Sequence, residues 1–334
     1  MVKVAVLGAS GQIGQPLSLL LKSSLLVTDL RLSDVVHAVG VATDLNHIDT
    51  PTVVKGYLPE NDGLQKALTG AEVVLISAGI ARKPGMTRDD LAAGVAQFCP
   101  EALVAIITNP VNSTVPIAAK VLKKHGVFEP KRLFGVTTLD VVRGSKFVAD
   151  VLGNISPQDF KVPVVGGHSG ATILPLISRS QPSVQLNQEQ IEAITNNKFN
   201  RREDGKWQAN VAFAGVQFGG DEIVKAKAGA GSATTSMAYA GFRFAQAIIK
   251  ASQGQSGIVE PAYVYLPGLQ GGEAVAHELG VSYFAVPVTF GPGGAETAHP
   301  IGSLSDYEKG LLKVAVDELE GNIKKGEAFI QSQA

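Results

Sequence analysis

The sequence predicts an α/β protein in which a doubly wound parallel sheet is followed by an α+β unit. Short, nearly continuous apolar runs recur over roughly the first 140 residues, at 2–7, 73–77, 103–108 and 133–136, with helical patterns or turns between them. Such runs are typical of parallel strands that are buried on both faces. A glycine-rich turn follows the first run, and the pattern becomes mixed from about residue 140 onward.

The composition is that of a globular chain with a large core: 334 residues, 45% hydrophobic, 18% charged and a net charge of −1. This charge gives no indication of binding to nucleic acid or to an anionic membrane surface. The single Cys99 excludes an internal disulfide and a cysteine metal cluster, and the six histidines lack metal-ligand spacing, so we expect no metal site.

No apolar run reaches the ~18 residues of a membrane span, so we expect no membrane partner. The first predicted strand begins at the second residue, and no signal or transit pattern precedes it. We therefore expect a cytoplasmic protein, with the mitochondrial matrix as the alternative if a presequence has been removed.

The turn after the first strand reads GASGQIG and places glycines at Gly8, Gly11 and Gly14, just before a pattern of apolar residues at helical spacing. Glycines at these positions allow a tight turn and let a pyrophosphate approach the N-terminus of the helix. Gln12 and Ile13 lie inside the same turn and are expected to contact the ligand. The arrangement predicts a Rossmann dinucleotide-binding domain.

An acid stands at the end of the next short strand. Asp34 follows Gly14 by about twenty residues, the spacing at which a carboxylate can accept a hydrogen bond from a ribose diol. The same carboxylate would repel a 2′-phosphate. The sequence therefore favours NAD over NADP, and we place the NAD-binding domain at residues 1–138 and a second domain at 139–334.

Two stretches carry groups suited to proton transfer. Asp140 and Arg143 are three residues apart on a predicted helix, so they share a face, and His168 stands among glycines that leave it uncovered. An aspartate that orients a histidine forms a proton-transfer pair, and an arginine beside it can bind a carboxylate through two hydrogen bonds. The residues alone leave open a second interpretation, a helix-terminal charge and a buried histidine without chemistry.

A basic loop follows the predicted strand at 73–77 and contains Arg82 and Arg88. A loop at the carboxyl end of a sheet strand faces the ligand crevice, and its glycines and proline are typical of a movable lid. A solvated charged loop is the alternative. Asn109, directly after the run at 103–108, is expected to face the same crevice.

Taken together, the motifs resemble those of the malate dehydrogenases, in the branch shared by mitochondrial, glyoxysomal and many bacterial enzymes. The motifs are GASGQIG, ISAGIARKPGMTRDDL, ITNPVNSTVPIAA, LFGVTTLDVVR, GGHSG and GAGSATTSMA, and the resemblance covers nearly the whole chain. It implies NAD on the N-terminal sheet, a homodimer, and reversible hydride transfer between (S)-malate and NAD that gives oxaloacetate. The C-terminal domain would then serve catalysis, substrate binding and dimerisation.

The resemblance also implies residue roles. His168 resembles the general acid/base, Asp140 resembles its partner, and Arg143 resembles the clamp on the carboxylate next to the reacting carbon. Arg82 and Arg88 resemble lid arginines that bind the distal carboxylate and polarise the ketone.

Two more residues match the family near the cofactor. Asn109 is similar to an asparagine close to nicotinamide and substrate, and Met237 resembles a residue beside the cofactor ring.

Two departures from the family leave alternatives open. After Leu91 the family usually continues for about eleven more residues, roughly three helical turns, that support the lid, and here residues 198–215 are an insertion. A catalytically impaired NAD-binding relative is therefore one alternative. A lactate-type 2-hydroxy acid dehydrogenase is another, although Arg82 disfavours it, because related lactate enzymes have glutamine at that position.

Overall fold

One mixed sheet organises the chain, and its N-terminal part has the strand order β3-β2-β1-β4-β5-β6. The structure is a computed structural model, and it describes residues 2–78, 88–153, 155–196 and 215–331. The six strands of this part are mutually parallel. They are β1 (Val2–Leu7), β2 (Val27–Ser33), β3 (Val53–Tyr57), β4 (Val73–Ile76), β5 (Leu103–Ile106) and β6 (Leu133–Gly135).

Helices connect these strands: α1 (Gly14–Lys22), α2 (Ala38–Leu45), α3 (Gly63–Leu68), α4 (Arg88–Phe98) and α5 (Val111–Lys124). The chain winds outward from β1 to β3 and then in the opposite direction from β4 to β6. Because crossovers between parallel strands are right-handed, the two halves place their helices on opposite faces. The predicted doubly wound fold is confirmed, and the order reverses between β1 and β4, where such folds bind ligands.

The second half extends the same sheet with antiparallel strands. Its strands are β7 (Val164–Gly166), β8 (Ile173–Pro175), β9 (Ile258–Tyr265), β10 (Tyr283–Gly291) and β11 (Gly294–Ala298). The sheet continues from β6 through β9 and β10 to β7 and β8, and β11 pairs with β10. The predicted change to a mixed α+β pattern is therefore confirmed. The connection to the parallel part is narrow, since β6 pairs with β9 through Gly135 and Tyr263.

The helices of the second half are α6 (Thr138–Leu152), α7 (Gln188–Asn196), α8 (Gly215–Ala226), α9 (Thr235–Ser252), α10 (Gly272–Leu279) and α11 (Asp306–Gln331). Helix α11 begins where Ser305 and Glu308 form a reciprocal cap, and the buried Glu308 carboxylate also accepts hydrogen bonds from Ser178. Further along, α11 packs against α5 and so ties the second half to the first. In the part of the chain that the structure describes, no helix combines the length and apolar composition that a bilayer span requires.

Candidate active site

The glycine turn packs so tightly that side chains are excluded at two of its positions. Gly8 has a φ of 88°, and a Cβ there would lie 2.4 Å from the backbone nitrogen of Ala78 on the neighbouring strand end. A Cβ at Gly14 would lie 2.0 Å from the carbonyl oxygen of Gly8. Gly11 is exposed at the tip, and its N–H donates to Gly8. The turn therefore depends on glycine for backbone packing, as a pyrophosphate cradle does.

Gln12 and Ile13 lead directly into α1. In its first turn the N–H groups of Gln15 and Leu17 donate to preceding carbonyls and Pro16 has no N–H, so the positive end of the helix dipole is the feature that favours a phosphate here. The segment before α9 lies close to this turn, because a Cβ at Gly231 would be 3.1 Å from Oε1 of Gln12. Met237 is buried in the first turn of α9. Contact of these residues with a cofactor stays a prediction.

Asp34 connects the end of β2 to the glycine turn. Its Oδ2 accepts the Ser10 N–H at 2.8 Å, and its Oδ1 accepts the Val35 N–H at 2.7 Å. The carboxylate is half-buried and lies at the carboxyl edge of the sheet, beside the turn. This is the place where a ribose diol is expected, so the location agrees with the sequence prediction, and the hydrogen bond to ribose stays a prediction.

The predicted proton-transfer pair is assembled in the structure. Asp140 lies fully buried in the first turn of α6, where the helix dipole favours a carboxylate. His168 follows β7, and its Nδ1 lies 2.5 Å from Oδ2 of Asp140. With the aspartate ionised, Nδ1–H donates to Oδ2, which leaves the lone pair of Nε2 to accept a proton from a substrate.

Arg143 lies beside this buried pair. Its Nη1 lies 3.7 Å from Oδ1 of Asp140, and its side chain is 11% exposed. Burial lowers the pKa of the Arg143 guanidinium, and the charges of Asp140 and Glu222 oppose that shift. Among the described residues, Nη2 of Arg143 and Oδ1 of Asp140 are buried without a hydrogen-bond partner. A buried guanidinium with an unused donor suits a carboxylate ligand.

Three further residues lie around Arg143 and His168 and were not predicted from the sequence. A pocket opens beside Arg143 and includes Gly219 and Ser236 in its lining. Gly219 leaves room for the arginine, since a Cβ there would lie 3.0 Å from its Nε. Asn112, at the start of α5, hydrogen-bonds to the loop that carries His168. It lies inside the ITNPVNST motif, where Ser113 and Thr114 are also polar, so the local pattern did not single it out.

The remaining predicted substrate residues are only partly described. Asn109 is exposed between β5 and α5, at the carboxyl edge of the sheet, as expected. Arg82 lies outside the described residues, and so does the insertion apart from Gly215. Arg88 is the first residue of α4, but its side chain is not described. The lid geometry therefore stays a prediction.

Cys99 lies apart from this chemistry. The thiol is buried at the end of the α4 segment, and burial raises its pKa to about 12. A thiol nucleophile acts as the thiolate, which such a pKa keeps scarce at neutral pH. The sulfur is therefore unsuited to nucleophilic catalysis.

Comparison with known proteins gives matches along nearly the whole chain. Two family models match: the lactate/malate dehydrogenase NAD binding domain at residues 2–135 and the alpha/beta C-terminal domain of the same family at 137–330. A mitochondrial malate dehydrogenase from Schizosaccharomyces pombe is 49% identical over 339 residues, with 98% of this chain and 91% of that protein covered.

Two further relatives agree with these matches. A mitochondrial malate dehydrogenase from Homo sapiens is 48% identical over 342 residues, with 99% of this chain and 92% of that protein covered. The crystal structure of a malate dehydrogenase from Cryptosporidium parvum superposes with a TM-score of 0.72 at 30% identity, covering 98% of this chain and 100% of that one.

Gly14→Ala tests the tight turn as a dinucleotide cradle. The added methyl group would collide with Gly8, so the start of α1 must move, and we expect NADH affinity to fall about tenfold or more, ~1.4 kcal/mol. Fluorescence titration with NADH measures the change. Gly40→Ala is the matched control, because its Cβ would meet nothing within 4 Å. Equal NADH affinity in the Gly14 variant and the wild type would contradict the role of the turn.

Proposed function

We propose that His168 and Asp140 transfer the proton and that Arg143 binds the substrate in this chain, which belongs to the lactate/malate dehydrogenase family and is an NAD-dependent malate dehydrogenase. The observation that carries the proposal is the buried contact of 2.5 Å between His168 Nδ1 and Asp140 Oδ2. The division of labour between residues 1–138 for NAD and 139–334 for catalysis is part of the same proposal.

His168 is proposed as the general acid/base. NAD, when bound, accepts the hydride that leaves C2 of malate. His168 Nε2 takes the proton of the C2 hydroxyl as the C–O bond becomes a carbonyl, and it returns that proton when oxaloacetate is reduced. Asp140 holds the imidazole in the tautomer that leaves Nε2 free and stabilises the imidazolium. General acid/base help of this kind contributes on the order of 10²–10⁴ in rate.

Arg143 is proposed to bind the carboxylate next to the reacting carbon through two parallel hydrogen bonds. Its buried Nη2 has no partner among the described residues, which supports this role. Malate is a dianion, so a second cationic site is needed, and we assign it to Arg82 and Arg88. Asn109, at the carboxyl edge of the sheet, is assigned to the region between nicotinamide and substrate.

The cofactor contacts are proposed for the glycine turn and its surroundings. Gly8, Gly11 and Gly14 would let the pyrophosphate approach α1, and Asp34 would accept a hydrogen bond from the adenosine ribose. The negative charge of Asp34 would disfavour a 2′-phosphate, which fits NAD as the cofactor.

We propose that the enzyme is a homodimer. Three neighbouring helices on one side of the sheet, α1, α2 and α9, carry exposed apolar side chains: Leu19 is 45% exposed, Val39 50% and Tyr239 45%. Since α1 and α2 lie within residues 1–138, the proposed interface is not confined to the C-terminal domain, to which the family resemblance assigned dimerisation. Exposed apolar groups on adjacent helices are typical of a subunit interface.

Sedimentation equilibrium tests the dimer. We expect the mass of two chains for the wild type and of one chain for Tyr239→Asp, because a buried unpaired carboxylate destabilises an interface. Val314→Asp is the control, since Val314 is 51% exposed on α11. A monomeric wild type would refute the proposal.

We propose the mitochondrial matrix as the compartment, because the relatives from Schizosaccharomyces pombe and Homo sapiens are mitochondrial. They give no support to the cytoplasmic location expected from the sequence. Fractionation of cells that make the natural protein tests this: recovery in the cytoplasmic fraction contradicts it.

Asp140→Asn tests the proton relay. An asparagine cannot stabilise the imidazolium, so we expect turnover of oxaloacetate to fall by about 100-fold or more, with NADH affinity within twofold of the wild type. Initial rates followed by NADH absorbance, together with fluorescence titration, measure both. The exposed Asp317→Asn on α11 is the control. If Asp140→Asn keeps a third or more of wild-type turnover, Asp140 does not have this role in proton transfer. Normal turnover by the wild type excludes the alternative of a catalytically impaired NAD-binding relative.

Arg82→Gln tests the assignment of substrate specificity. Loss of the cation leaves the distal carboxylate unpaired, so we expect the ratio of kcat/KM for oxaloacetate to that for pyruvate to fall about 30-fold or more, ~2 kcal/mol. Lys83→Gln removes the same charge from the next residue and serves as the control. If the two variants show the same ratio as the wild type, Arg82 does not recognise the distal carboxylate.

A further inference from the structure

We propose that Asn112 is a positioning residue for the reaction, because it fixes the main chain at His168 while Asp140 fixes the imidazole ring. The inference rests on the proposed function of His168. Asn112 is fully buried in the first turn of α5, and its side-chain oxygen accepts the His168 N–H at 2.8 Å. The two residues are 56 positions apart in the chain.

The side-chain NH₂ group of Asn112 also donates hydrogen bonds to the loop that carries His168. Its Nδ2 donates to Ser169 Oγ at 2.9 Å and to Thr172 Oγ1 at 3.2 Å. An aspartate would lack both N–H donors, and a leucine of similar size would lack all the polar atoms. Since the site is fully buried, the longer glutamine would have to displace its neighbours. Asparagine therefore matches this position in length and in donors.

The loop is wrapped closely around the amide. A Cβ at Gly167 would lie 2.7 Å from Asn112 Oδ1 and 2.4 Å from Thr172 Oγ1, so any larger residue before the histidine would displace these side chains. The Gly167 N–H donates to the carbonyl of Thr172 at 2.7 Å, and the Thr172 hydroxyl donates to the Ser169 carbonyl at 2.7 Å. Residues 167–172 therefore hydrogen-bond both to one another and to the side-chain amide of Asn112.

The main chain of Asn112 is also held in place. Its carbonyl oxygen accepts the Tyr263 hydroxyl at 3.2 Å, and Tyr263 is buried in β9. Burial raises the pKa of Tyr263, so the phenol stays protonated and keeps donating. Asn112 thus connects three parts: α5, which starts beside Asn109 at the cofactor edge; the His168 loop; and the antiparallel strands.

This arrangement has a consequence for catalysis. The Asp140 hydrogen bond sets the tautomer and tilt of the imidazole, but a histidine ring also moves with its backbone. Since Asn112 anchors the His168 N–H, the histidine is held at both its backbone and its ring. A misplacement of the general base by about 1 Å can reduce turnover by about 10²-fold.

Asn112→Ala tests the inference in the full-length enzyme. We expect kcat for oxaloacetate reduction to fall by about 100-fold, while the Kd for NADH stays within twofold of the wild type. With NADH deuterated at the transferred position, the primary isotope effect on kcat should rise above that of the wild type, because a displaced His168 slows the chemical step. A role in packing alone would lower the melting temperature without raising the isotope effect.

Asn46→Ala is the control. The side-chain amide of Asn46 makes two hydrogen bonds, both to the backbone of Val54, at the C-terminal end of α2, where the residue is exposed. Its removal should cost stability and leave kcat and the isotope effect unchanged. If Asn112→Ala behaves like Asn46→Ala, or loses kcat and NADH affinity to the same extent, the inference is overturned.

A second pair of variants decides the matter if Asn112→Ala does not fold. Thr172→Val keeps the shape but removes the hydroxyl that Asn112 contacts, and Thr172→Ser keeps the hydroxyl. We expect kcat of the valine variant to be about tenfold below that of the serine variant, with a raised isotope effect; equal kcat values refute the inference. A wild type that does not reduce oxaloacetate would instead refute the proposed function.

Discussion

The buried hydrogen bond between Asp140 and His168 is the contact on which the arrangement of the site depends. A carboxylate with no solvent exposure is costly unless it is paired, and here it lies in the first turn of α6 with an imidazole 2.5 Å away. The two residues come from different segments, one after β6 and the other after β7. They meet because β9 and β10 join these strands in a single sheet.

The same carboxylate also lies beside Arg143, so two groups compete for one buried anion. Asp140 Oδ2 lies 2.5 Å from the imidazole Nδ1, whereas Asp140 Oδ1 lies 3.7 Å from Nη1 of Arg143. The ion pair with Asp140 compensates part of the cost of burying Arg143, and Nη2 is still available to donate to a ligand. A buried cation whose hydrogen bonds are incomplete gains most from an incoming carboxylate, which fits the substrate-binding role proposed for Arg143.

Strands buried on both faces were the easiest elements to predict. β1 was predicted with its observed bounds, and β4, β5 and β6 to within two residues, because continuous apolar runs identify central parallel strands. β3 was missed because it is an edge strand with exposed positions. The β-rich run at 160–165 also predicts a strand, but β7 begins only at Val164, since the preceding residues make an isolated bridge at Lys161 instead of a ladder.

The sequence by itself determined the glycine turn, the acid after β2, and the residue types Asp140, Arg143 and His168, because local spacing and side-chain chemistry are sufficient to identify such features. The pairing of His168 with Asp140 was predicted only through the family resemblance, and the tertiary structure assembles it. Tertiary structure alone decided that Asn112 anchors the histidine loop. It also decided that β6 meets β9 at Gly135, where a Cβ would lie 2.5 Å from Val111. These contacts join residues that are distant in the chain, and periodicity along a sequence carries no information about which distant segments share a packed core.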